Sequence, residues 1–233
     1  MFSLYSGFIG LQNFLCVFFK FQEPRIPMNR FIEVFLCLCA LIVALPLFML
    51  AAFATFLTLG QPVLFRQIRA GKGGSVFYLV KLRTMSDARD ASGNLLPDDR
   101  RVSTAGIWLR RMRLDEFPQL LSIIRGDMAL VGPRPLKPET VAQFGQDGLR
   151  RGSVRPGLTG WAQVSGNTTL SNEEKLRLDL WYIAHRSAAL DFQILFETVG
   201  VALFGEHRNA SRLEAASSWR DLDNGIENNR VSA

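Results

Sequence analysis

The run RFIEVFLCLCALIVALPLFMLAAFATFLTLG, residues 30–60, decides the architecture. It has no charged residue from Val34 to Gly60, a length that suffices to cross the hydrocarbon core of a bilayer. Pro46 stands inside it. A proline removes one backbone donor and collides with the preceding turn, so a bend is expected at Leu45 and Pro46. Both flanks are basic, with Arg25 and Arg30 before the run and Arg66, Arg69 and Lys72 after it. Basic residues favour the cytoplasmic side of a membrane. A helix that enters, bends at proline and returns keeps both clusters inside, whereas a straight single-span anchor strands one outside. The flanks favour the re-entrant form, although proline kinks also occur in ordinary spans.

Upstream, MFSLYSGFIGLQNFLCVFFK is apolar but has neither a basic start nor a small-residue cleavage site. Residues 1–28 are therefore read as an interfacial or poorly ordered lead-in, not a secretory signal, ended by the two prolines of QEPRIP. Cys16, Cys37 and Cys39 all lie in apolar stretches, and the two histidines, His185 and His207, offer no metal-ligand spacing with them. The cysteines read as small hydrophobes in a reducing compartment, which argues against a zinc site.

The 233 residues support one substantial core plus an appendage. The formal charge is +6, while residues 206–233 carry five acids against four arginines, so the basicity lies in the body. Such a body suits anionic partners: nucleic acid, phosphorylated small molecules or an anionic lipid surface. Residues 61–205 have globular composition, and 206–233 are polar and patternless, hence read as disordered. PVLFRQIRAGKGGSVFYLVKLRTM alternates around its glycines and predicts a hairpin, followed by a polar loop over 86–101. STAGIWLRRMR and DEFPQLLSIIRG predict two short helices, the first capped by Ser103 or Thr104 and the second ended by Gly126. GDMALVGPRPLKP reads as extended or looped, KPETVAQFGQDG as helical, and RPGLTGWAQVSGN as a loop too rich in glycine for a helix. NEEKLRLDLWYIAHRS and LDFQILFETVGVALFG read as helices, the latter apolar enough to lie against a membrane surface.

Within RLDEFPQL, residues 113–120, Asp115 and Glu116 fall just before or at the start of a helix that Pro118 opens. Acids at helix starts are ordinary, because the dipole and the unpaired N–H groups favour them. The surroundings point further. Arg110, Arg111 and Arg113 crowd the pair, GPRP supplies Arg134, RPG supplies Arg155, and KLRTM supplies Lys81 and Arg83. Each cation alone is an ordinary surface charge; together they could neutralise a diphosphate. Two acids among phosphate-binding bases suit phosphoryl transfer, with one carboxylate attacking phosphorus and the other holding Mg²⁺. No GxxxxGK[ST] loop is present, which disfavours a nucleotide triphosphatase.

PVLFRQIRAGKGG, KLRTM, RLDEFPQLLSIIRGDMALVGPRP, RPGLTGWAQVSGN and LDLWYIAHRSAALDFQIL, in that order, resemble the bacterial sugar transferases, the small monotopic polyprenol-phosphate phosphoglycosyl transferases. The likeness runs from about Asn29 to Gly205. It implies an α/β, mostly helical membrane enzyme: a re-entrant helix over 29–60, interfacial helices, and a small cytosolic catalytic domain over 61–205. It implies location at the bacterial inner membrane with that domain on the cytoplasmic face. The implied reaction has Asp115 attack the sugar-bearing phosphate of a UDP-sugar and release UMP. Polyprenyl phosphate, typically undecaprenyl phosphate, then displaces Asp115 and starts a lipid-linked glycan for capsule, exopolysaccharide, lipopolysaccharide or glycoprotein. Glu116 is implied to act through Mg²⁺ and Arg134 to contact nucleotide phosphate, and Lys81, Arg83, Arg110 and Arg155 fall in matching segments. Asp127 and Asp191 also match family acids and are read as structural. Leu45 replaces the usual serine before the bend proline, and Glu33 stands where an aspartate is frequent, within reach of Arg30 at the membrane interface. The preceding multispan region of larger relatives is lacking, so a minimal catalytic form is expected. Implied partners are membrane lipids and downstream glycosyltransferases, with no nucleic acid. A non-catalytic scaffold that binds anionic lipid or partner enzymes is the competing expectation.

Overall fold

The computed structural model describes residues 27–231. The expected lead-in lies outside the described residues except for Pro27 and Met28. Helix α1 runs Arg30–Leu59, begun by Asn29, whose side chain accepts from the Phe31 amide at 2.8 Å. It continues through Pro46 as one helix of 30 residues, about 45 Å at the usual rise.

Glu33, Cys37, Ala51 and Thr55 of α1 are buried, and the half-buried Leu41, Ala44 and Phe48 fall between them. They recur every three or four residues, forming one stripe along the whole helix. Its two halves pack on different clusters of the same body. Cys37 and Leu41 join Phe77, Leu79, Leu120, Ile123 and Met128, whereas Ala51, Phe48 and Ala52 join Leu82, Leu109 and Leu114. Phe48 stacks on Phe117 with ring centroids 4.7 Å apart. The opposite face exposes Phe31, Phe35, Ile42, Val43, Leu50 and Leu57 among others. An apolar surface so continuous marks contact with a membrane or a partner, and α1 is the one helix among the described residues long and apolar enough to cross a bilayer.

The hairpin forms as the alternation predicts: β1 (Leu64–Ala70) pairs antiparallel with β2 (Val76–Leu82) around a turn at Lys72–Gly74. The polar loop contains a short helix, α2 (Asp98–Arg101). Helix α3 (Thr104–Arg111) starts at Ser103, whose Oγ accepts from the Gly106 amide at 2.9 Å. Helix α4 (Gln119–Arg125) ends at Gly126, which takes φ 97°, a conformation open to glycine. KPETVAQFGQDG forms two short helices, α5 (Pro138–Gln143) and α6 (Gln146–Arg151), separated at Gly145.

Two expectations are corrected. RPGLTGWAQVSGN is not a loop: β4 (Gly157–Thr159) pairs in parallel with β3 (Ala129–Val131), and α7 (Trp161–Val164) follows. Glycine allows this because a Cβ on Gly157 would lie 2.1 Å from the Gly132 amide nitrogen. Residues 210–231, expected to be disordered, are helical. After α8 (Asn172–His185) and α9 (Ala188–Phe204), helix α10 (Ala210–Val231) packs on α8 and fully buries Ala216 in the core with Trp161, Leu178 and Ile194. Arg212 clamps Glu197 with two bonds of 2.6 and 2.7 Å, and Arg220 pairs with Asp147.

Candidate active site

Between α3 and α4 the chain makes a single 3-10 turn, Leu114–Glu116, entered through Arg113 in the left-handed region at φ 55°. A non-glycine residue there is uncommon, and here it turns the chain so that Leu114 enters the core with Leu82 and Leu109. Asp115 is only 6 % exposed. Burial raises its pKa, the neighbouring Glu116 charge raises it further, and Lys81 and Arg110 oppose them. Burial in turn lowers the Lys81 pKa, Asp115 draws it back up, and Arg110 adds to the lowering. Lys81 also lies 5.5 Å from the Phe65 ring centre, and Arg110 Nε donates to Thr84 Oγ1 at 2.9 Å.

Glu116 faces two arginines. Arg134 Nη2 donates to its Oε1 at 3.1 Å, and Arg113 Nη1 lies 3.7 Å from its Oε2. Arg113 also reaches Glu206 at 3.5 Å, and Glu206 accepts from Asn167 and Thr168. Arg134 is fixed from behind. Arg151 Nη2 donates to the Arg134 carbonyl at 2.5 Å while its Nε donates to Asp179 Oδ2 at 2.8 Å. That pair is buried, its side chains 7 % and 4 % exposed. Burial raises the Asp179 pKa against the pull of Arg151.

Two cavities flank the Arg134–Glu116 contact. A largely apolar cleft of about 440 Å³ is lined by Arg113, Glu116, Phe117, Leu158 and Val199 among others. A more polar cavity of about 260 Å³ is lined by Arg134, Phe144, Arg151 and Asp179 among others. Gln163 lines both.

The structure thus gathers Asp115, Glu116, Lys81, Arg110 and Arg134. Arg83 and Arg155 engage other partners in this structure. Arg83 caps the end of α1, donating to Leu59 O at 2.5 Å and to the Gln61 and Pro62 carbonyls. Arg155 lies 3.9 Å from Glu33 in a separate polar cavity that also holds Tyr182 and Asp191. Glu33 is a hub there. It accepts from Arg30 at 2.6 Å and from the Leu130 amide at 2.5 Å, and Arg30 also donates to the Ile123 carbonyl. Asp191 accepts from Tyr182 at 2.7 Å and the Met28 amide at 2.9 Å, which ties α9 to the start of α1. Asp127 forms an exposed pair with Arg125 at 3.7 Å. Arg151 and Asp179 escape sequence reading, since nothing local distinguishes Arg151 from Arg150.

As to Mg²⁺, no cluster of three or more candidate ligands occurs among the described residues. One or two carboxylates completed by substrate phosphates is nonetheless this ion's common arrangement, and Glu116 beside Asp115 fits it.

The model for bacterial sugar transferases matches residues 25–205. The chain belongs to that family and is a sugar transferase, an enzyme. It is 46 % identical over 150 residues to "Uncharacterized sugar transferase EpsL" of Bacillus subtilis (strain 168), covering 64 % of this chain and 74 % of that one. It is 40 % identical over 181 residues to the UDP-glucose:undecaprenyl-phosphate glucose-1-phosphate transferase of Caulobacter vibrioides, covering 69 % and 64 %. It is 35 % identical over 191 residues to the UDP-N-acetylgalactosamine-undecaprenyl-phosphate N-acetylgalactosaminephosphotransferase of Aeromonas hydrophila, covering 77 % of this chain but 45 % of that one.

Proposed function

We propose that this enzyme transfers a sugar phosphate from a UDP-sugar to a polyprenyl phosphate, with undecaprenyl phosphate the natural acceptor, and so initiates a lipid-linked glycan. One observation carries the reading: a buried carboxylate, Asp115, lies among Lys81, Arg110 and the Arg134–Glu116 pair. A carboxylate so placed is desolvated and nucleophilic, and cations around it offset the charge of an approaching diphosphate. An Asp115 oxygen attacks the sugar-bearing phosphorus, the bond to the bridging oxygen breaks, and UMP leaves with that oxygen. The acceptor phosphate oxygen then attacks the same phosphorus and releases Asp115. Arg134 and Lys81 hold phosphate oxygens in both steps, while Glu116 is the residue to hold Mg²⁺. When bound, that ion supplies charge neutralisation at the diphosphate.

The apolar cleft beside Glu116 suits the first isoprene units of the acceptor. The stripe that fastens both halves of α1 to one body supports a re-entrant helix, since a helix crossing the bilayer would carry one end away from that body. The catalytic domain then sits on one face, the cytoplasmic face of the bacterial inner membrane, where UDP-sugars and downstream glycosyltransferases are available. The test is purified protein with Mg²⁺ and UDP-glucose or UDP-N-acetylgalactosamine, scored for UMP and for a phosphosugar adduct mapped by mass spectrometry. UMP release with the adduct on Asp115 is expected; an adduct elsewhere, or UMP release undiminished in Asp115→Asn, overturns the mechanism.

A further inference from the structure

Two arginines flank Glu116. Arg134 donates to its Oε1 and lines the polar cavity, whereas Arg113 faces its Oε2 and lines the apolar cleft. Arg113 is the one cation among the residues lining that cleft, whose walls are chiefly Leu, Val, Ala and Phe side chains. It is reachable, its side chain being 31 % exposed. Arg212 shows what a fully engaged arginine looks like in this protein, with two bonds of 2.6 and 2.7 Å to Glu197. Arg113 instead lies 3.7 Å from Glu116 and 3.5 Å from Glu206, both longer than a normal hydrogen bond. Charge steers its guanidinium, and its N–H donors are not used up by these two acids. Glu206 is itself fixed, accepting from the Thr168 amide at 3.0 Å and from Asn167 Nδ2 at 2.5 Å. The two carboxylates thus suspend the guanidinium at the Glu116 side of the cleft.

We propose that Arg113 anchors the acceptor's own phosphate, a monoester at the end of an isoprenoid chain that lies in the apolar cleft. The assignment rests on the polyprenyl phosphate reading above and adds which residue recognises the charged end. An isoprenyl phosphate is a long apolar body with one dianionic end, and this cleft has apolar walls with one guanidinium among them. Val199 and Leu203 of α9 line the cleft yet are 58 % and 72 % exposed, so its wall continues onto an open apolar surface. Such a surface admits a chain that arrives from a bilayer. Arg113 also opens the turn that carries Asp115, so a phosphate held by it is brought to the nucleophile's own segment. A guanidinium fork takes two phosphate oxygens at once, which outweighs two loose contacts with carboxylates. In the second step Arg134 and Lys81 keep the phosphate carried by Asp115, and Arg113 supplies the cation for the one that arrives.

The test compares Arg113→Met and Arg113→Lys with the unaltered full chain in detergent. The KM for the polyprenyl phosphate should rise about 10- to 100-fold in Arg113→Met, the loss of a charge-assisted hydrogen bond, and less in Arg113→Lys. UMP release from UDP-sugar without acceptor, the first half-reaction, should fall much less than that KM rises. Thermal unfolding with farnesyl phosphate or farnesol needs no turnover. The phosphate should raise the midpoint of the unaltered protein above that with the alcohol, and Arg113→Met should lose this difference. Glu206→Gln removes a charge that competes for Arg113, so it should not raise the acceptor KM, whereas a merely structural Arg113–Glu206 pair makes both variants lose alike. An acceptor KM within about twofold of the original in Arg113→Met overturns the anchor, as does a first half-reaction that falls as far, or a variant that still separates the two probes. A protein that distinguishes the probes through Arg113 but releases no UMP loses the transfer reaction and keeps the anchor; UMP release with an unmoved acceptor KM loses the anchor alone.

Discussion

Arg134 and Glu116 meet at 3.1 Å on the boundary between two cavities, Arg134 lining the polar one and Glu116 the apolar one. A charged fork at such a place can hold phosphate belonging to either substrate. Arg134→Lys keeps the charge and loses the fork, so kcat/KM for UMP release should fall about 10- to 100-fold, and Arg134→Ala should fall further. A loss under twofold in the lysine variant would show that only charge matters here.

Asp115→Asn should abolish UMP release, by a factor on the order of 10³ or more, as when a nucleophile is removed. The same change should stabilise the fold at neutral pH. Burial and Glu116 raise the folded pKa of Asp115 above its unfolded value. Its ionised form therefore costs stability above the folded pKa, and that cost disappears as pH falls to the ordinary aspartate range. Thermal unfolding across pH should show the two proteins diverging towards neutrality; convergence there, or divergence in acid, contradicts the sign.

Arg151→Met leaves the Asp179 charge buried and alone and frees the Arg134 carbonyl. About 3–5 kcal/mol of stability should be lost, and Arg151→Met with Asp179→Leu should recover most of it. Denaturant titration reads both. UMP release should stay depressed in the double variant, since Arg134 has lost its backing.

Helix α1 offers a topological prediction. Cysteines placed at Asn29 and Gln61, at its two ends, should react with a membrane-impermeant maleimide from the same side of sealed vesicles. Reaction from opposite sides would establish a span and remove the re-entrant reading.

Much of this architecture is legible in the sequence because it is locally encoded. The hairpin follows from alternation around GKGG, the cap at Ser103 from residue type, and the position of Asp115 and Glu116 from Pro118. What escapes is long-range. Arg83 and Arg155 stand in the same motifs as site residues, yet their guanidinium groups are drawn to carbonyls ending α1 and to Glu33, partners a linear reading cannot see. The strand at Gly157–Thr159 is hidden because glycine reads as loop until another backbone approaches it. Helix α10 is hidden because its apolar stripe is short and its ion pairs, Arg212 with Glu197 and Arg220 with Asp147, join distant segments.

Removal of residues 210–233 should accordingly uncover Trp161, Leu178 and Ile194 and release Glu197 from its clamp. A drop in thermal midpoint of several degrees is expected, with aggregation on purification. An unchanged midpoint would show that the helix adds nothing to the core.

Glu33 and Arg83 secure opposite ends of the same greasy rod to one rigid head. On the proposed membrane placement, a helix moored fore and aft would hold Asp115 at one depth, set when the chain folds. Encounters with a lipid-borne reactant then become a matter of lateral drift within a plane, and turnover should follow the surface density of that lipid and not its amount per volume.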